Sequence, residues 1–373
     1  MFGIILTSVV TVMHVYVFWR AASVPLVKRH VPRGVLIAVG AALWAGFLLG
    51  RLFGHGGAGG LARTLELLGM NWMGVLFLTS VALFAMDLLT AFGFLLRRRA
   101  PSLRGLALVV GGMLSVIALI QGLRPPVVQS YDVHLPGLPD ELDGTVIVGM
   151  SDLHLGSLLG RRWLEARVAQ VQAQRPDLVV LLGDLSEGHG EAQEQLLPAL
   201  RRLSAPLGVY AVLGNHEFHG GRDPGMALMT EAGFQVLRDT WAEVHPGLVL
   251  AGVDYLTSER GSGPRGDTVL KALAGRPAGA TVLLSHAPLQ AERAANAGVG
   301  LMLSGHTHGG QIWPFDYLIQ RRYPLLEGRH EVGGMTIIIC RGTGTWGARM
   351  RLWRPSEILR VTLRTAAERN VAE

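Results

Sequence analysis

Residues of metal-ligating type recur in a fixed order through the C-terminal two thirds of the chain. Asp152-Leu153-His154 comes first, followed by Gly183-Asp184, Gly214-Asn215-His216-Glu217 and Ser285-His286. Gly305-His306-Thr307-His308-Gly309-Gly310 comes last. Carboxylates and imidazoles in this number suit a divalent Zn, Mn or Fe ion better than the all-oxygen cages that hold Ca or Mg. The single cysteine, Cys340, excludes a Cys-ligated zinc site and an intrachain disulfide. Each short motif is common by itself. Their joint occurrence in this order, each closing an apolar run, is what carries the reading.

The apolar runs define the elements that must position these side chains. Strands are expected at residues 145–148, 178–182, 209–213, 248–253, 281–285, 301–304, 336–340 and 358–363, with helices at 161–174 and 191–203. Such a mixture indicates stacked sheets flanked by helices. Five of the strands then deliver Asp152 and His154, Asp184, Asn215 and His216, His286, and His306 and His308 to one edge. Glycines beside the ligands read as points where the backbone turns sharply away from a strand.

The ordered set resembles the calcineurin-like metallophosphoesterase superfamily over about residues 145–363. Gly305 to Gln311 (GHTHGGQ) and Arg341-Gly342-Thr343-Gly344 are similar to a membrane-associated bacterial subfamily, a relative of transmembrane metallophosphoesterase-domain proteins. The resemblance implies a four-layer αββα sandwich with two divalent metal ions (Mn, Zn or Fe). One ion would take Asp152, His154, Asp184 and His308. The other would take Asp184, Asn215, His286 and His306, with Asp184 shared. A shared carboxylate is what two cations about 3.5–4 Å apart require to offset their repulsion. The resemblance further implies hydrolysis of a phosphate ester or pyrophosphate by a metal-bridging hydroxide. His216 would contact the phosphate and protonate the leaving oxygen, a role suited to imidazole. Glu217 reads either as a supporting carboxylate or as a surface one.

Other residues are weaker candidates. Arg341 could meet a phosphate or brace a loop. Trp313, Phe315, Tyr317, Arg321, Arg322 and Tyr323 follow the last ligand motif, and Trp346, Arg349, Arg351, Trp353 and Arg354 form a second aromatic and basic stretch. Aromatic and Arg side chains together suit a membrane interface with anionic headgroups, though they also serve ordinary packing. Of these, Arg341, Trp313, Arg321 and Arg322 are the candidate substrate contacts. His189 and His219 read as exposed loop histidines.

The N-terminal third has a different character. The chain of 373 residues is 49% hydrophobic and only 17% charged, below the usual charged fraction of soluble domains. Residues 1–124 hold eleven Lys and Arg against two acids, Glu66 and Asp87, a net of +9; the remainder holds 23 against 26, a net of −3. Four stretches have the length and apolarity of membrane spans, at about 2–19, 34–50, 72–96 and 105–123. His14 and Asp87 fall inside spans and read as helix contacts. Arg20, Lys28, Arg29 and Arg33 in the first loop and Arg97, Arg98, Arg99 and Arg104 in the third place those loops in the cytoplasm. The segment after Arg124-Pro125-Pro126 is then extracytoplasmic. The expected organisation is a four-helix transmembrane domain at 1–124 and a phosphoesterase domain at 125–373.

Together these features suggest a membrane-anchored, metal-dependent phosphohydrolase whose substrate is lipid-linked or lies beside the bilayer. Some members of the superfamily cleave the pyrophosphate of UDP-diacylglucosamine; that alternative requires the catalytic domain to face the cytoplasm. A non-catalytic sensor or scaffold for a phosphate ligand is a second alternative, and loss of a ligand or of His216 would favour it. Nucleic acid is not an expected partner, because the balance of −3 offers no basic face to hold a phosphate backbone.

Overall fold

The computed structural model describes residues 2–54, 59–187, 193–218, 224–254 and 268–366. The chain divides into two compact units, Met1–Arg124 with Trp346–Trp353, and Pro125–Thr345 with Arg354–Glu373.

The first unit is helical: α1 (Phe2–Ala21), a short α2 (Pro25–His30), α3 (Arg33–Leu49) running into one π-helical stretch (Gly50–Gly54), α4 (Gly60–Leu89) and α5 (Ala100–Leu123). All but α2 are long and apolar enough to cross a bilayer. Helix α4 packs against α1, α3 and α5. Val10, Val17, Phe47, Leu76, Leu83 and Ala107 form the core of the unit, while Ile4, Val12, Ile37, Phe84 and Ile117 stay exposed on its outside, as lipid-facing residues do.

The third span differs from the expected 72–96. It starts twelve residues earlier, at Gly60, and ends at Leu89. Residues 60–71 include Arg63 and Glu66, which break an apolar run without breaking a helix. At the other end the Thr90 hydroxyl donates back to Met86 O at 2.9 Å, and Phe92 takes φ 56°, so the chain turns before the basic residues 97–99. Asp87, single in the sequence, is fully buried and paired. Its carboxylate accepts from Tyr16 Oη at 2.7 Å and Arg104 Nε at 2.9 Å, and it lies 2.7 Å from Arg20 Nε. Trp72 Nε1 donates to His14 Nδ1 at 3.3 Å.

Trp346–Trp353 was expected to belong to the phosphoesterase domain, yet it packs into the helical unit. Arg349 N donates to Asn71 Oδ1, Arg351 N to Ala118 O and Trp353 N to Gln121 Oε1, at 2.8–2.9 Å. Gly74 and Gly122 make the approach feasible. A Cβ at Gly122 would collide with the backbone of Arg349 and Met350, and one at Gly74 with Met350 Sδ.

The second unit holds two six-stranded sheets. Its strands are β1 (Val127–Leu135), β2 (Val146–Met150), β3 (Leu178–Leu181), β4 (Val209–Ala211), β5 (Gln235–Val236), β6 (Thr240–His245), β7 (Leu248–Gly252), β8 (Ala280–Leu284), β9 (Leu301–Ser304), β10 (Gly328–Val332), β11 (Met335–Ile339) and β12 (Glu357–Thr365). One sheet runs β1-β12-β2-β3-β4-β5 and the other β10-β11-β9-β8-β7-β6. Alternation along the strands separates the layers. Leu178, Val180 and Leu182 join Val282, Leu284, Leu303 and Ile338 in the core between the sheets. Val179 and Leu181 face the opposite way, into a second core with α6 (Arg161–Gln172), α7 (Gln193–Leu200) and α8 (Pro224–Glu231). Leu283, Met302, Ile337 and Ile339 form a third with α9 (Thr268–Leu273) and α10 (Ala291–Asn296). The result is the four-layer αββα arrangement. Residues 191–192 of the expected second helix, and His189 and His219, lie outside the described residues.

Candidate metal centre

Strands β2, β3 and β4 are neighbours and parallel in one sheet, and β8 and β9 are neighbours and parallel in the other. Their C-terminal ends therefore share an edge. Asp152 and His154 follow β2, Asp184 follows β3, Asn215 and His216 follow β4, His286 follows β8, and His306 and His308 follow β9. The structure brings all eight side chains together. Three overlapping groups have ligand atoms within 4.8 Å of one another: Asp152, His154 and His308; His154, Asp184 and His216; Asp184, His286 and His306.

Asp184 lies between the two ends of the cluster. Its Oδ2 is 3.8 Å from His154 Nε2 and 3.2 Å from His286 Nε2. On the first side His308 Nε2 stands 3.1 Å from His154 Nε2 and 3.3 Å from Asp152 Oδ1. On the second, His286 Nε2 is 3.2 Å from both His306 Nδ1 and Asn215 Oδ1. Ring nitrogens and carboxylate oxygens converging at these distances fit a cation site. Asp152 makes the point directly. Its Oδ2 accepts from Ser151 Oγ at 2.5 Å and His306 N at 3.0 Å, whereas its buried Oδ1 has no hydrogen-bond partner among the described residues. A buried carboxylate oxygen without a donor is costly unless a cation meets it. Asp184 repeats the pattern, with Oδ1 accepting from His216 N at 2.9 Å and Oδ2 turned to the imidazoles.

The backbone contributes an arrangement that the motifs did not disclose. Asp152, His154, Asp184, His306 and His308 all have positive φ, between 45° and 71°. Side-chain-bearing residues rarely adopt this region, and such strain concentrates at functional sites. The neighbouring Gly214 and Gly305 serve close approach instead: a Cβ at Gly214 would collide with Asp184 Oδ1, and one at Gly305 with Ser151 Oγ. Thus the ligands turn the chain together with the adjacent Gly183, Gly309 and Gly310, at φ 90°, 58° and 78°, as expected of glycines beside them, while Gly214 and Gly305 give the carboxylates room.

A further shell of contacts fixes ring orientation. Glu187 Oε2 is 2.6 Å from His154 Nδ1 and 3.0 Å from His216 Nδ1. His286 Nδ1 donates to Leu182 O at 2.6 Å, and Tyr323 Oη is 2.8 Å from His306 Nε2. Glu217 is buried and accepts from the backbone N–H groups of Asp184, Leu185 and Gly214 at 2.6–2.9 Å, so it ties the β3 and β4 ends together. Sequence reasoning missed Glu187, whose only signal is its place three residues after Asp184, and missed the contact of Tyr323, for which there was no signal.

Electrostatics follow this geometry. Burial works against ionised Asp184, yet the His286, His216 and His154 rings around it hold its carboxyl well below the usual range. Burial lowers His286 and the Asp184 carboxylate raises it further, for a net rise to about 10. Burial and the charge on His286 push His306 down to about 3. For His216, burial is outweighed by the Glu187 hydrogen bond and by the charges of Asp184 and Glu187, which raise it to about 9.

The weaker candidates are placed differently. Arg341 borders the last ligand loop, where a Cβ on Gly309 would touch it, and its Nε donates to the buried Glu357 Oε2 at 2.8 Å. Trp313 is partly buried, and Arg321 and Arg322 are exposed on α11 (Asp316–Arg322). It is Tyr323, one residue further, that reaches the cluster.

A family model described as calcineurin-like phosphoesterase matches residues 145–310. A transmembrane protein with metallophosphoesterase domain from Danio rerio is 31% identical over 324 residues, covering 81% of this chain and 74% of its own length. A Bos taurus protein of the same name is 33% identical over 293 residues, covering 74% and 66%. An uncharacterized metallophosphoesterase from Aquifex aeolicus is 35% identical over 243 residues, covering 64% of this chain and 91% of its own length. In the last comparison nearly the whole relative is matched by less than two thirds of this chain.

Proposed function

The chain belongs to the calcineurin-like phosphoesterase family and is a metal-dependent phosphohydrolase on a membrane protein; from this premise we propose that it works with two divalent cations on a lipid-linked phosphate ester or pyrophosphate. The observation that carries the two-cation reading is Asp184, whose Oδ2 faces His154 on one side and His286 on the other. One cation would be held by Asp152, His154, Asp184 and His308, and the other by Asp184, Asn215, His286 and His306. A metal pair supplies Lewis acidity at the phosphoryl oxygens and lowers the pKa of the attacking water.

The protein's own groups supply the rest. His216 stands beside Asp184 without being needed as a ligand, and Glu187 orients its ring through Nδ1. The Glu187 hydrogen bond and the charges of Asp184 and Glu187 favour the protonated ring against its burial, so His216 is suited to hold a proton on Nε2 for the leaving oxygen. Two features support a membrane-linked substrate and an extracytoplasmic site. The enzyme unit shares its chain with four helices able to cross a bilayer. The basic residues 20–33 and 97–104 cluster at alternate helix connections. They mark those connections as cytoplasmic, which leaves Pro125 onward outside.

The test is hydrolysis by detergent-purified, manganese-loaded protein of a diester and a monoester chromogenic substrate, a lipid phosphate and a lipid pyrophosphate. Asp184→Ala should lose both metals and all turnover. Retention of two metals by this variant overturns the bridging role. No turnover of the lipid members beside ready turnover of a soluble ester overturns the substrate class.

A further inference from the structure

We propose that α11 is a membrane-surface docking element that holds the metal centre against an anionic bilayer. A short helix at a protein surface ordinarily turns its apolar residues inward. Here Phe315, Tyr317 and Leu318, at the helix start, are 38%, 61% and 56% exposed, and Arg321 and Arg322 are exposed in the last turn. An exposed aromatic and aliphatic group next to two guanidinium groups matches a bilayer surface, where rings settle at the headgroup level and Arg meets lipid phosphate. Charge complementarity favours an anionic bilayer, and each basic residue close to such a surface is worth about a five-fold gain in affinity.

Both ends of α11 are fixed to the site. Asp316 is buried where a Cβ on Gly310 of the last ligand loop would strike it, and its Oδ2 accepts from Arg354 Nη2 at 2.8 Å. Beyond the helix, Tyr323 Oη meets His306. Immersion of the middle of the helix would therefore locate the ligand loop relative to the headgroups. This inference rests on the proposed lipid-linked substrate for its purpose, but its geometry can be tested without any turnover.

The experiment uses the full chain in vesicles of phosphatidylcholine with or without 30% phosphatidylglycerol (about one lipid in three, enough for a strongly negative surface). A bimane label is attached at Leu318→Cys; the native Cys340 is buried and stays unlabelled. The expected result is quenching by spin-labelled lipid, stronger with phosphatidylglycerol and weakened by Arg321→Gln. Quenching by aqueous iodide alone overturns the proposal, and protection from both quenchers overturns it in favour of a protein partner. As a second measurement, Tyr317→Ser with Leu318→Ser should lower turnover of vesicle-borne lipid phosphate at least ten-fold and leave a soluble chromogenic ester unchanged. Lipid quenching without any lipid-phosphate turnover would retain the docking role and sink the substrate reading instead.

Discussion

Glu187 serves two imidazoles with one oxygen, and its carboxyl is held below the usual range because the His154 and His216 hydrogen bonds outweigh its burial. It therefore stays an anion wherever the centre works. The two rings it orients have different tasks, and variants should separate them. His216→Ala should keep both metals and lose about 10²–10⁴-fold in kcat, most for poor leaving groups. Glu187→Gln should weaken metal binding by about 10–100-fold through His154, and lower kcat as well. Metal content by mass spectrometry beside kcat checks this pair, and a metal-free His216→Ala contradicts the acid role. His286 gives a second expectation. Without metal its pKa is raised to about 10, so it is protonated at neutral pH, yet a metal needs the ring neutral. Loading must then displace a proton. Affinity should rise about ten-fold per pH unit from neutrality toward pH 9 and flatten near pH 10. Calorimetric titration of manganese in buffers of different ionisation enthalpy reads the released proton directly, and a pH-independent affinity contradicts this assignment.

At the scale of elements, the strand ends are held by backbone contacts that one acid gathers. Glu217 satisfies three N–H groups of the β3 and β4 loops while buried. Glu217→Ala would strand these donors at about 1–3 kcal/mol each. A loss of at least 3 kcal/mol in the unfolding of the second unit is expected, with Asp184 displaced. Denaturant titration with and without manganese checks it, and a loss under 1 kcal/mol contradicts the role. The ligand motifs were legible because residue type and strand ends are local properties: the apolar runs before Asp152, Asp184, Asn215, His286 and His306 are central strands buried on both faces. The four strands that escaped sequence reasoning, β1, β5, β6 and β10, are the four sheet edges. An edge strand such as Val127–Leu135 is partly exposed and carries Gln129, Ser130 and Asp132, so it offers no continuous apolar run. The positive φ of five ligands was illegible for another reason, since nothing in an Asp or His announces a left-handed backbone. Glu187 and Tyr323 are single residues whose partners lie far away in sequence.

At the scale of the whole molecule, the chain does not finish one unit before building the other. Thr343 N donates to Ser151 O and Gly344 N to Asp152 O, so the 341–344 turn supports the backbone of a ligand. Two residues later the chain enters the helical unit as Trp346–Trp353, and it returns at Arg354 to pair with Asp316 and Glu327. The aromatic and basic composition of this stretch left membrane contact and ordinary packing both open in the sequence, and Arg351 is fully buried. The groove that admits it depends on the small size of Gly122, where a Cβ would meet backbone that has no rotamer with which to yield. Gly112, on the same helix, has nothing within 4 Å of such a Cβ. Gly122→Ala should therefore cost about 1–3 kcal/mol through overpacking, whereas Gly112→Ala should be neutral or gain up to about 1 kcal/mol from helix propensity. Thermal unfolding of the detergent-solubilised protein compares the two. If the segment also steadies the 341–344 turn by covalent continuity, Gly122→Ala lowers turnover of a soluble ester and Gly112→Ala does not. Equal melting temperatures for both variants would mean that Trp346–Trp353 is not packed against α5 in the membrane protein.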